Sequence, residues 1–384
     1  MLNKPFIKFT LNNVNNKSKS KLFTVVSTFA GGGGSSTGYK LAGGDVLLAN
    51  DFIDEAVTTY RANYPNSPII NSDIRKITRM GGANQIRAFF RKYGVTYKEL
   101  DILDGSPPCT TFSTATAGRG NAKIEKKNVK HSDKTQNRIG MLVHDYIYLV
   151  NCLQPKVCLF ENVVPSKNSK VFIKAVERLR KHGYIVQWQT VSASDCGVAQ
   201  NRRRLITIGV RGDIANKLGI KSKEDLNYLY PNVNKIKLSL KDVLGDLQID
   251  KEERDILLRN CKLNASYEIL KLIPKNPIKP LKIQDIDPSW KDRNSDFTLV
   301  RASWMVPSPT LTCRGQQLGV SGVHHPDEDR KFTVAELKRI TGLPDDYKLT
   351  GSFNQKAERI GNMVPPLMTK TLAESVYTNI LSKL

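Results

Sequence analysis

FTVVSTFAGGGGSSTGYKLAGGDVLLAND, residues 23–51, sets two β-rich runs on either side of a glycine cluster and a helical stretch. FTVVSTF (23–29) reads as a strand, because β-branched and aromatic residues fill it and glycine closes it. Phe29-Ala30-Gly31-Gly32-Gly33-Gly34 then opens a helix through Tyr39 and Leu41, and DVLLAN (45–50) reads as the next strand. A glycine-rich turn between strand and helix lets backbone approach a ligand closely at the carboxyl edge of a sheet. On its own such a turn serves several classes of cofactor alike.

The same alternation continues from about Lys21 to Val210. Helices are expected around Ala56–Tyr60 and Gln85–Tyr93, ahead of a strand at LDILDG (100–105). Over 136–153, Ile139, Leu142, Val143, Tyr146, Ile147, Val150 and Leu153 recur at three- and four-residue spacing, one apolar helix face. A strand at 156–163, a helix carrying Val171, Ile173, Val176 and Leu179, and strands YIVQWQTV and LITIGV complete the pattern. This predicts an α/β fold with a doubly wound, mostly parallel sheet. After Arg211 the texture becomes Lys-, Asn- and Asp-rich with scattered prolines through 213–300. Order returns at PSPTLTCRG (307–315) and FTVAELKRITGLPDDY (332–347), and the tail from Glu358 reads as helix. The expected organisation is a polar lead-in (1–20), a larger domain (21–212), a smaller one (213–350) and a C-terminal segment (351–384) returning to the larger.

Lys and Arg number 59 against 36 Asp and Glu, a net charge of +23. So large an excess favours a polyanionic partner, since each neutralised phosphate releases counterions. No apolar run approaches the roughly 18 residues of a membrane span, and no basic amphipathic helix points to a lipid surface. The N-terminal stretch lacks the apolar segment of a secretory signal. The six cysteines include no C-x-x-C pair and have no histidine at ligand spacing, which argues against a metal site and a disulfide framework.

Candidate chemistry gathers at strand ends. Asp51, just past the second strand, can hold a ribose diol, and Phe52 can lie against an adenine ring. Asp73-Ile74 of NSDI follows a third short run and fits a further adenosine contact. With Phe29, Ala30, Gly31, Gly33 and, at the next strand end, Pro108, these are the candidate cofactor-binding residues. Asp104-Gly105-Ser106-Pro107-Pro108-Cys109 ends a strand with two prolines that hold the thiol outward, a poor setting for a core cysteine. The Ser/Thr/Gly/Lys-rich stretch from Thr110 to about Asn128 reads as a loop that closes over a substrate. Phe160-Glu161-Asn162-Val163 ends another strand, and Gln200-Asn201-Arg202-Arg203-Arg204 brings fixed cations into a further one.

PPC, ENV, Q-x-R-x-R, HHPDEDRKFTVAE and GNMVPP stand here in the order found in the carbon-5 cytosine-specific DNA methyltransferases of prokaryotic restriction-modification systems. The sequence resembles that family over about 22–210 and again over 304–380. The resemblance implies an S-adenosylmethionine-dependent methyltransferase (Rossmann-like) domain with a smaller target-recognition domain. It implies S-adenosylmethionine as methyl donor, S-adenosylhomocysteine as product and double-stranded DNA as partner, with Asn362 and Val364 lining the cofactor pocket. The stretch before PSPTLT corresponds to the family's target-recognition region, and the last helix to one that packs back on the catalytic domain. Both a solitary enzyme and one paired with a cognate restriction endonuclease fit. A monomer acting in the cytoplasm on nucleoid DNA, with no membrane partner, is expected. Thr110 stands where many relatives carry Gln, Ser106-Pro107 replaces the commoner Gly-Phe, and Asp51 stands where Glu is usual.

The expected catalytic residues are Cys109, Glu161, Arg202 and Arg204. Cytosine carbon 5 is a poor nucleophile, and attack of the Cys109 thiolate on carbon 6 makes the ring enamine-like and methyl-accepting. A Glu161 of raised pKa would supply the proton or hydrogen bond needed at ring nitrogen 3. Arg204, with Arg202 in support, would hold the pyrimidine carbonyl and orient Glu161. The base must leave the duplex for this chemistry. The tRNA-methylating branch of the family shares the Pro-Pro-Cys turn, but its Cys-Phe-Thr tripeptide is absent. A silent nucleic-acid-binding protein would lack Cys109 or Glu161, and nothing downstream suits hydride transfer.

Overall fold

The computed structural model describes residue 6 and residues 8–108, 141–233, 237–291 and 299–384. Cys109, the stretch from Thr110 to Asn128 and the start of the helix expected over 136–153 lie outside the described residues.

Strands covered on both faces read as continuous apolar runs, and that is how the centre of the main sheet is written. It comprises β1 (Phe23–Thr28), β2 (Gly44–Asp51), β3 (Ile69–Asn71), β4 (Ile102–Gly105), β5 (Val157–Asn162) and β6 (Tyr184–Ser192). After the two-residue β7 (Gln200–Asn201), which pairs elsewhere, β8 (Arg203–Arg211) joins the same sheet, in the order β3-β2-β1-β4-β5-β8-β6. All residues of β4 and all but Thr24 of β1 are buried. The pairs β1–β2, β2–β3, β1–β4 and β4–β5 are parallel, and β5–β8 is antiparallel. The doubly wound, mostly parallel expectation holds. Strand order reverses between β1 and β4, the switch point where such sheets open a crevice at their carboxyl ends.

The chain divides into two compact units. One holds the main sheet and comprises Asn15–Val191, Arg203–Pro231 and Thr369–Leu384; the other comprises Met1–Val14, Ser192–Arg202 and Asn232–Met368. Residues 213–231 therefore go with the sheet and 351–368 with the second unit, whereas the sequence reading set the change of domain at 213 and the return to the larger one at 351. The N-terminal stretch is also more ordered than a polar lead-in: Leu11–Ser18 forms a helix with Val14 buried.

In the sheet unit, the helix Leu142–Leu153 buries the expected face, with Leu142, Val143, Tyr146, Ile147, Val150 and Leu153 in the core. Its Tyr146 hydroxyl lies 2.8 Å from the Leu103 carbonyl and 3.0 Å from that of Leu159, bridging β4 and β5. At the opposite strand ends Asp101 accepts from Thr24 N at 2.8 Å and from Lys156 Nζ at 2.7 Å, tying the starts of β1, β4 and β5 together. In the last long helix, Pro366–Asn379, Leu372 and Val376 are buried one turn apart, and Tyr377 packs on Phe23 of β1 with ring centroids 5.9 Å apart.

The second unit carries β9 (Leu281–Lys282), β10 (Leu299–Arg301), β11 (Ser308–Pro309) and β12 (Gly322–His324). β9, β10 and β12 form one small sheet, and β11 pairs with β7. Around them run short helices, among them Lys251–Lys262 and Tyr267–Lys271, over a core of Cys261, Leu270, Ile273, Ile283, Leu299 and Val320. A fully buried Arg301 organises this unit. Its guanidinium donates to the carbonyls of Leu270, Ile273, His325 and Glu328 and, at 2.7 Å, to Asp329. Beside it Arg330 grips Glu336 through two bonds of 2.7 and 3.0 Å, and Glu336 completes a capping box with Thr333. The HHPDEDRKFTVAE stretch is thus a structural clamp.

Candidate active site

β1 delivers the glycine-rich turn to the switch point. Phe29, Gly31 and Gly33 take positive φ values of 54°, 55° and 98°, and Gly33 caps the helix Gly34–Leu41. Positive φ is the reason for glycine at positions 31 and 33. A Cβ built on Gly31 would meet no atom within 4 Å, so open space lies beside the backbone there. Ala30 is buried, and its N–H donates to the Asn50 carbonyl at 2.9 Å, which seats the turn against the end of β2.

Asp51 sits at that end of β2 and is almost fully buried. Its carboxylate accepts from Gly31 N at 2.8 Å and from Ile53 N at 2.9 Å, one bond per oxygen. The side chain therefore shapes the glycine turn from the end of β2. Phe52, next to it, is 54% exposed, a large apolar side chain free to cover a ring. Asp73 caps the helix Ile74–Thr78 through Arg75 N at 2.9 Å and is gripped by the Arg75 guanidinium, whose hydrogen bonding holds the carboxyl below the usual range. Ile74 buries its side chain in the core and can offer a ligand only backbone. An open glycine turn and an exposed aromatic ring beside it leave room for a bound cofactor at this strand end.

β4 brings the second element to the crevice. Its last residue, Gly105, has no room for a side chain: a Cβ would stand 2.6 Å from the Tyr146 ring and 2.9 Å from Thr28 Oγ1. Ser106-Pro107-Pro108 follow and lead to Cys109. Asp104, one residue before Gly105, is 2% exposed. It accepts from Ser27 Oγ at 2.8 Å and from Tyr39 Oη at 3.0 Å, while Thr28 Oγ1 donates to its carbonyl at 2.8 Å. Burial pushes its carboxyl up to about 7 against those hydrogen bonds, and the charge of Glu161 adds to the rise.

Glu161 stands near the carboxyl end of β5, opposite Ile206 of antiparallel β8. Antiparallel pairing brings the start of β8 to this end, and Arg204 Nε lies 2.6 Å from Glu161 Oε1. The structure thus joins two of the expected catalytic residues. Arg202 belongs to the second unit, where it is buried and donates to the Leu311 carbonyl at 3.2 Å. Asn362 and Val364 belong to the second unit too, Asn362 exposed and Val364 buried. Just before them, Gly361 lets its helix, Phe353–Asn362, touch the TLTCRG segment, since a Cβ there would lie 2.3 Å from the Cys313 nitrogen. Sequence reasoning passed over Asp104, Ser27 and Tyr39; the available signal was a carboxylate inside an otherwise apolar central strand.

A glycine turn at a switch point, with a carboxylate–guanidinium pair at the same sheet edge, places the candidate site where doubly wound α/β enzymes bind their ligands. The family model described as C-5 cytosine-specific DNA methylase matches residues 23–378, and the chain belongs to that family. It is a DNA cytosine-5 methyltransferase. It is 28% identical to the Type II methyltransferase M.Sau96I of Staphylococcus aureus over 372 residues, 94% of this chain and 77% of that one. Against the Type II methyltransferase M.NgoPII of Neisseria gonorrhoeae the identity is 27%, covering 92% of this chain and 94% of the relative. Among solved structures, a prophage-encoded Escherichia coli protein described as a DNA modification methyltransferase aligns with a TM-score of 0.64 at 23% identity, over 94% of this chain and 99% of its own. Among the described residues no helix is long and apolar enough to cross a membrane.

Proposed function

We propose that the chain methylates carbon 5 of a cytosine flipped out of double-stranded DNA, using S-adenosylmethionine, as a Type II modification enzyme acting in the cytoplasm. The observation that carries the assignment is the 2.6 Å Glu161–Arg204 pair at the sheet edge where β1 leads into the glycine turn and β4 into Ser106-Pro107-Pro108. In this reading Phe29–Gly33, Asp51, Phe52 and the Asp73-Ile74 turn hold the adenosine end of the cofactor. Bound S-adenosylmethionine supplies an electrophilic methyl group and leaves as S-adenosylhomocysteine. Cys109 attacks carbon 6 as a thiolate, and Glu161 supplies a proton or hydrogen bond at nitrogen 3 as charge develops there. Arg204 fixes the Glu161 carboxyl with its planar fork and reaches the pyrimidine carbonyl. Loss of the carbon-5 proton to water and cleavage of the sulfur–carbon bond return the thiolate. Arg202, Asn362 and Val364 are kept in this reading as supporting residues, and target recognition is assigned to the second unit. A monomer, with or without a cognate endonuclease, suffices for this chemistry.

The test is methylation of duplex DNA against tRNA, followed by bisulfite sequencing of the product. The expected result is one modified cytosine context in duplex DNA; methylation of tRNA alone overturns the substrate. Duplex carrying 5-fluorocytosine at that site should become covalently attached to wild type, because fluorine blocks the final elimination. Attachment to Cys109→Ser would remove Cys109 as the nucleophile.

A further inference from the structure

Asp104 has no part in the chemistry just described, yet a carboxyl at its position is costly. Its strand is central, parallel and buried, where apolar side chains are the rule. Its partners come from two other elements. Ser27, its direct register neighbour on β1, donates to Oδ2 at 2.8 Å. Tyr39, in the helix that springs from the glycine turn, donates to Oδ1 at 3.0 Å. Ser27 and Tyr39 are fully buried, and the next residue along β4 is the crowded Gly105. One side chain therefore touches the strand that ends in the cofactor turn, the helix that begins from it, and the strand that ends in Gly105–Pro108.

We infer that Asp104 is a positioning residue for methyl transfer: held by Ser27 and Tyr39, it fixes the distance between the glycine-rich cofactor turn and the Gly105–Pro108 turn. The physical argument is directional. The ladder between β1 and β4 already holds those strands in register, but apolar packing alone would let the helix slide over them; the Tyr39 hydroxyl meets the Asp104 carboxyl, itself anchored by Ser27, at one helix position only. Donor and acceptor must meet within a few tenths of an ångström for transfer, and misplacement of about 1 Å can cost about 100-fold in rate. The inference rests on the proposed reading of 29–34 as the cofactor turn and of 105–108 as the turn that leads in sequence to the nucleophile.

Three variants of the full-length chain test it: Tyr39→Phe, which removes one hydroxyl; Asp104→Leu, which removes both bonds; and Asp104→Asn, which keeps shape and hydrogen-bonding capacity. Each is assayed by single-turnover transfer to duplex DNA at saturating S-adenosylmethionine, with calorimetric cofactor affinity and a thermal melt alongside. Tyr39→Phe and Asp104→Leu should slow transfer by about 10- to 100-fold with cofactor affinity changed much less, and Asp104→Asn should recover most of the rate. Wild-type rates in Tyr39→Phe and Asp104→Leu, with only the melting temperature lowered, would show a merely structural group and overturn the inference. If Asp104→Leu does not fold, Tyr39→Phe decides alone. The underlying reading fails by a different sign: Gly31→Val, which fills the open space beside the turn, would leave cofactor affinity intact.

Discussion

Glu161 and Arg204 form one device, so altering either should have the same kinetic signature. Glu161→Gln keeps shape but cannot deliver a proton, and transfer should slow by the 10²–10⁴-fold range, as an order of magnitude, of a lost general acid. Arg204→Ala should follow it, because the ion pair that orients the carboxyl is gone. Single-turnover rates beside thermal melts check this; near-wild-type transfer by Glu161→Gln would demand another donor. Asp104 makes a separate prediction in pH. Its carboxyl rises from an ordinary 3.8 to about 7 on folding, with Tyr39, Tyr146 and Glu161 as the titratable groups facing it. A raised value means its contribution is fully present below about pH 4 and lost as pH climbs through 7. The melting temperature of wild type should therefore fall relative to Asp104→Asn between about pH 4 and 7, and the difference should level off above. A constant difference across that range would mean that the carboxyl is not buried as described.

Elements were legible in the sequence wherever burial leaves a pattern. β1 was expected at 23–29 and spans Phe23–Thr28, and the face of the helix Leu142–Leu153 followed from its three- and four-residue spacing. Direction was not legible: LITIGV is an unbroken apolar run that reads the same in a parallel or an antiparallel strand, and β8 is antiparallel to β5. Nor were partners. Asp51 and Asp73 were read as ligand groups, but the sequence carries no sign that backbone N–H groups or Arg75 already engage them. Nothing in the sequence marks Arg301 as buried, because its acceptors are mostly carbonyls brought from distant turns. Close helix approach gives the prediction at this scale. Gly361→Ala sets a Cβ 2.3 Å from the Cys313 nitrogen, against backbone that cannot swing aside. A stability loss of about 1–3 kcal/mol, typical of overpacking, should appear as an earlier denaturant midpoint. An unchanged midpoint would mean that this helix does not touch 312–313.

At the scale of the whole molecule, recognition and chemistry should be separable, but not at the boundary the sequence suggested. Residues 213–231 pack with the sheet, so a graft of a relative's recognition region should begin at Asn232 and end before PSPTLT. Such a chimera should methylate a new cytosine context at a comparable rate, and bisulfite sequencing should show the change; retention of the original context would place recognition elsewhere. The alternation between units also orders events in time. Tyr377, which rests on Phe23, leaves the ribosome 354 positions after it (377 − 23). At about 5–20 residues per second that is a wait of roughly 20–70 s. During translation the first strand emerges early and must remain uncapped until the helix carrying Tyr377 follows it. A nascent chain stalled before that helix is therefore a substrate for chaperones and proteases, and methylating capacity should appear in a cell only once the helix has emerged and docked.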